Sequence, residues 1–100
     1  MDALSNLTLD HFSGHIGESF TADTPQHGVT LVLSEASALG EATPQASDRA
    51  PFSLIFTGPH DAPLSQGCYS LSHPGVGRQV IFLVPLGPRE NGMRYQAIFS

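Results

Sequence analysis

The sequence predicts a small all-β domain, either an antiparallel barrel or a two-sheet sandwich of about six strands, opened by one short N-terminal helix. Three observations carry this. From residue 18 onward, apolar residues recur with a period of two. Clusters of Gly and Pro separate those runs at hairpin spacing. After Gly17, no stretch keeps a helical period long enough for a strand–helix alternation.

The elements follow in order. Thr8 is a suitable N-cap, Asp10 falls in the first turn, and Gly14 offers a stop. This gives one or two helical turns over residues 9–13, with Leu9 and Phe12 on one face. So short a helix holds only when docked. Residues 18–22 read as a short strand. Val29, Leu31 and Leu33 alternate with Thr30, Val32 and Ser34, and Phe52, Leu54 and Phe56 alternate with Ser53, Ile55 and Thr57. Tyr69 and Leu71 alternate with Ser70 and Ser72. Residues 79–84 are apolar on both faces, which predicts a central strand covered on both sides. In that reading Ile81 and Leu83 point outward. Leu4, Leu7, Leu9 and Phe12 are their nearest cover, and a partner subunit is the alternative. Pro85 cannot donate to a ladder, so it ends this strand or forces a bulge. Tyr95, Ala97 and Phe99 form the last strand, and residues 94–99 are a candidate sheet edge. Pro74-Gly75-Val76-Gly77 makes a tight hairpin, and Asn91-Gly92 favours positive φ in the next loop. Residues 37–50 have no period and read as a long, mobile loop.

One hundred residues make one domain, 1–100, with a thin core. The chain has no lysine and four arginines (Arg49, Arg78, Arg89 and Arg94) against nine acidic residues, a net charge of −5. Nucleic acid and anionic membrane surfaces both demand clustered cations, so neither is an expected partner. The single cysteine, Cys68, excludes an internal disulfide and reads as a buried, inert thiol. The opening Met-Asp-Ala-Leu-Ser-Asn carries neither a basic n-region nor an apolar h-region. Cytoplasmic residence is therefore the expectation.

Chemistry-bearing motifs are sparse. His11 and His15 stand at i, i+4, half of a helical zinc site, but Gly14 weakens that helix and no second His/Cys pair stands at finger spacing. No metal or cofactor is expected. The serines form no Gly-x-Ser-x-Gly elbow. Gly75-Val76-Gly77 lacks the lysine and helix of a phosphate loop. The acidic residues form no calcium ladder. Arg94 opens the last strand and suits a structural clamp, with Glu90 and Asp61 as candidate partners.

Three stretches together resemble an uncharacterised family of small bacterial β domains, a domain of unknown function. They are Pro51-Phe52-Ser53-Leu54-Ile55-Phe56-Thr57-Gly58-Pro59; Leu64-Ser65-Gln66-Gly67-Cys68-Tyr69-Ser70-Leu71-Ser72-His73-Pro74; and Phe82-Leu83-Val84-Pro85-Leu86-Gly87-Pro88 with Gly92-Met93-Arg94-Tyr95-Gln96-Ala97-Ile98-Phe99 behind it. Ser65 stands where such sequences often carry proline. The resemblance transfers no catalytic residues. It implies a genomic setting beside phage-tail-collar-like proteins of the microcystin-dependent type, and hence an accessory role in a fibre or tail-like assembly. Tyr69, Phe82, Tyr95 and Phe99 read as core or cross-strand aromatics.

These readings combine into a non-enzymatic protein-binding module. Its candidate partner-binding residues are Arg89, Glu90, Asn91, Met93, Arg94 and Gln96. The expected partner is a neighbouring tail-collar-like fibre protein, with homo-oligomerisation by edge-strand pairing as a variant. The rival is a small enzyme or ligand-binding domain with a site near His60, Asp61, His73 and Arg94. It requires those side chains to converge in a concave pocket.

Overall fold

The structure, a computed structural model, describes residues 9–25, 28–38 and 51–99. Its elements are α1 (Asp10–Ser13), β1 (Ser19–Asp23), β2 (Gly28–Ala38), β3 (Phe52–Gly58), β4 (Gly67–His73), β5 (Gly77–Arg89) and β6 (Gly92–Phe99). All strand pairs are antiparallel, and they close into a barrel in the order β1-β2-β3-β6-β5-β4. The all-β class is as the sequence predicts, and the barrel is the alternative realised. Leu4, Leu7, Thr8 and residues 39–50 of the expected loop lie outside the described residues. Residues 37 and 38, expected in that loop, are strand instead, because β2 runs on through Ala38 and pairs there with Phe52.

Period-two burial builds the interior. Phe20, Leu31, Leu33, Phe52, Leu54, Phe56, Leu71, Leu83 and Tyr95 are among its fully or almost fully buried side chains. Two corrections concern facing. On β5, Ile81 and Leu83 point inward, while Val80 and Phe82 lie outside at 54% and 49% exposure. The strand buried on both faces is β3, whose outward Ser53 and Ile55 are only 6% and 7% exposed. An apolar strand such as β5 does not by itself reveal a second cover. On β3, flanking strands do the covering: Ser53 faces Ser37 on β2 and Ile98 on β6, and the Gln96 side-chain amide donates to its Oγ at 3.1 Å.

The two bulges have local causes. Pro85 leaves a donor missing, and the ladder skips Leu86 between Pro85↔Tyr95 and Gly87↔Arg94, with Gly87 at φ 108°. A second shift falls between Leu33 and Glu35 on β2.

Strand directions place the start of β1 and the β4–β5 hairpin at one end of the barrel. The β3–β4 crossing, residues 59–66, and the β5–β6 hairpin lie at the other. The first end is plugged by α1, a single turn whose fully buried Phe12 meets the rings of Phe20, Phe52 and Phe99 at centroid distances of 6.4, 5.9 and 5.8 Å. Gly14 does not supply the left-handed stop; its φ is −80°, and Gly17, at φ 91°, makes that turn. At the second end, Leu64 of the crossing loop is buried, and its N–H donates to the Tyr95 hydroxyl at 2.8 Å.

Closure corrects the expected edge. β6 pairs with β3 on one side and β5 on the other, so residues 94–99 are not a free edge. Cys68 is exposed, because it sits on the outward face of β4, in register with Phe82.

Candidate functional site

Two groups of polar side chains lie at the two ends of β5. The first is a groove beside the β5–β6 hairpin. Gly92 sits at φ 149°, and a Cβ there would press on the Gly58 carbonyl and lie 2.8 Å from Thr57 Cγ2. Only glycine lets the hairpin fold this closely onto β3. The hairpin and the bulged part of β2 then bound an open depression of about 600 Å³, lined by Ser34, Glu35, Thr57, Arg89, Glu90, Asn91 and Arg94. A second depression of about 420 Å³ shares Ser34, Thr57 and Asn91 and extends along Thr30 and Val32. Together they form a groove over the outer faces of β2 and β3.

Hydrogen bonds fix the groove walls. The hydroxyls of Ser34 and Thr57 lie 2.6 Å apart. His60 Nε2 donates to the Arg89 carbonyl at 2.7 Å, tying the crossing loop to the hairpin. Arg94 pairs with Glu35 at 3.5 Å, with side-chain exposures of 21% and 61%. The clamp expected of Arg94 therefore exists, with Glu35 in place of Glu90 or Asp61. Such a solvated contact is worth little in stability. Among the described residues, the Arg89 and Glu90 side chains form no ion pair.

Of the candidate partner-binding residues, Arg89, Glu90, Asn91 and Arg94 line the groove. Met93 instead packs partly against the core, and Gln96 is engaged with Ser53. Ser34, Glu35 and Thr57 were not singled out from the sequence. They reach the groove through the β2 bulge and the β2–β3 register, which local patterning does not encode.

The second group joins His15, Glu18 and His73. One carboxylate oxygen, Glu18 Oε1, accepts from His15 Nδ1 at 2.9 Å and from His73 Nε2 at 2.6 Å. The Gly75 N–H donates to His73 Nδ1 at 2.8 Å, so the ring's proton sits on Nε2, facing Glu18. Donation from His15, and then from His73, holds the Glu18 carboxyl below its ordinary range. The His73 side chain is 8% exposed, between the rings of Phe20 and His15, each with its centroid 4.6 Å away. His15 thus joins Glu18 and His73, and the i, i+4 spacing to His11 plays no part in the cluster. Glu18 and His73 are 55 residues apart, so no sequence spacing announces them.

The rival site does not assemble. His60 bonds the β5–β6 hairpin, Asp61 is exposed in the adjacent turn, Arg94 engages Glu35, and His73 lies at the other end of the barrel with Glu18.

One protein-family model matches the chain, over residues 7–99, and its description is a domain of unknown function. No curated protein and no solved structure shows a significant match.

Proposed function

The chain belongs to the DUF6916 family of domains of unknown function, and on that premise we propose from its geometry that it is a non-enzymatic protein-binding module. The groove over β2 and β3 receives a polar segment of the partner. The observation that carries this reading is the placement of Arg89 and Arg94, two of only four arginines on a chain of net charge −5, on one open groove. A guanidinium offers a fork of donors matched to carboxylates and carbonyls, so a partner segment bearing acidic side chains suits it. Glu35 and Glu90 on the same walls favour a segment of mixed sign and disfavour a purely acidic one.

Recognition by strand addition loses its support once the barrel closes, so side chains must carry the selectivity. The resemblance to domains encoded beside tail-collar-like proteins directs the search for the partner. The reading is an accessory or assembly factor for a neighbouring fibre or collar protein.

The test is affinity purification of the tagged chain from its native cell, with the neighbouring fibre protein as the expected stoichiometric companion. The pair of substitutions Arg89→Glu and Arg94→Gln should remove that companion while leaving the melting transition in place. Retention of the companion by the double variant would overturn the assignment of the groove. Failure to recover any stoichiometric companion would overturn the binding-module reading itself.

A further inference from the structure

We propose that His15, Glu18 and His73 form a binding site for a divalent transition-metal ion of the zinc class, and that the ion clasps the start of β1 to the end of β4. Two imidazole nitrogens and one carboxylate oxygen are a donor set that such ions accept, with a remaining position for water. The three donor atoms lie within 4.8 Å of one another. Bonds of about 2.0–2.1 Å in a tetrahedron put ligand atoms roughly 3.3 Å apart. The contacts of 2.9 and 2.6 Å to Glu18 Oε1 therefore need to open by only part of an ångström.

The donors are seated by the fold. His73 is packed between Phe20 and His15, and the hairpin tip closes over both imidazoles. A Cβ on Gly75 would lie 3.0 Å from His15 Cε1 and 3.2 Å from His73 Cε1. Glu18, at 49% side-chain exposure, leaves the cluster open to an entering ion.

Proton placement makes the proposal specific. Ligation requires a lone pair on His15 Nδ1 and on His73 Nε2, the two nitrogens that now donate to Glu18. Each neutral ring meets this by moving its proton to its other nitrogen, with no net release. For His73 that other nitrogen is Nδ1, which currently accepts from the Gly75 N–H. Metal binding must therefore turn this N–H away and rearrange the tip formed by Pro74, Gly75 and Val76.

The experiment is calorimetric titration of the full chain, cleared of metal with a chelator, using zinc chloride. Side-chain nitrogen and backbone amide signals are followed by NMR in parallel. The expected result is one ion per chain, a raised melting temperature, a tautomer change at His15 and His73, and a displaced Gly75 amide signal. His15→Ala and Glu18→Gln should each weaken binding at least roughly tenfold, the lower end of what losing even an outer-shell partner costs. His11→Ala should bind like the parent. Absence of saturable binding by the folded parent would overturn the proposal. So would parental affinity in both ligand variants, or saturation that leaves the His15 and His73 nitrogen signals unmoved.

Discussion

Replacing Phe12 by Ala tests whether a single helical turn closes one end of the barrel. The ring is fully buried and touches three other aromatic rings. An aromatic side chain buries roughly 150–200 Å², which at about 25 cal/mol per Å² corresponds to about 4–5 kcal/mol. The lost ring contacts add to this, while alanine's own burial and partial collapse of the cavity give some back. The expected net loss is about 3–5 kcal/mol. Against a total of roughly 5–15 kcal/mol for a domain of this size, that is a fifth or more of the stability. The melting temperature should fall by on the order of 20 °C. Urea unfolding is the assay, followed by circular dichroism and by tyrosine emission, which no tryptophan obscures. Ser13→Ala, on the exposed side of the same turn, should stay within about 0.5 kcal/mol of the parent. A Phe12→Ala loss below about 1 kcal/mol with an unchanged denaturant slope would refute the plug.

Tyr95→Phe should cost about 1–3 kcal/mol, because it strands the buried Leu64 N–H; a neutral outcome in chemical denaturation would show that another acceptor serves that loop. Gly92→Ala should cost on the order of 2–3 kcal/mol and shift the amide resonances of Thr57 and Gly58, and unshifted resonances would contradict the close hairpin approach. Cys68 should react with a thiol reagent in the folded state at a rate near that of the unfolded chain, whereas protection until unfolding would contradict its exposure. Glu18 has a carboxyl pKa lower in the fold than its ordinary 4.5, so its contribution is fully present above that value and disappears as pH falls through the folded pKa. With chelator present, the parent should therefore exceed Glu18→Gln in stability at neutral pH, with the gap closing as pH falls below the ordinary 4.5; a pH-independent gap would contradict the linkage.

Patterning made the strands legible, because alternation along Val29, Leu31 and Leu33, or along Phe52, Leu54 and Phe56, reports which side chains share a face. The Pro85 bulge was legible for the same local reason: a missing donor interrupts a ladder wherever it falls. Which face of an apolar strand looks inward was not. Val80 and Phe82 read as well as Ile81 and Leu83 for the interior, and only the register with β4 decides between them. The hairpin part of the groove, Arg89 to Arg94, was found because a charged loop is visible in one segment of chain. Its opposite wall, Ser34, Glu35 and Thr57, was not, since it depends on a bulge and on strand order. The same holds for Glu18 and His73, which meet only because β1 and β4 are the strands that complete the cylinder.

That completion is thin. β1 and β4 share two registered positions, Thr21↔Ser72 and Ala22↔Leu71, whereas β4–β5 and β3–β6 share seven each. Side chains reinforce this side of the barrel, Glu18 bonding His73 at the end of β4 and Asp23 reaching past β4 to Arg78 on β5. Thermal breathing should begin here, since the fewest main-chain bonds must be given up, and amide exchange should be fastest along this line. An unzipped join would briefly uncover two strand borders that the resting domain conceals. Anything that tightens the stitching would keep them hidden, and anything that loosens it would offer them to a second chain.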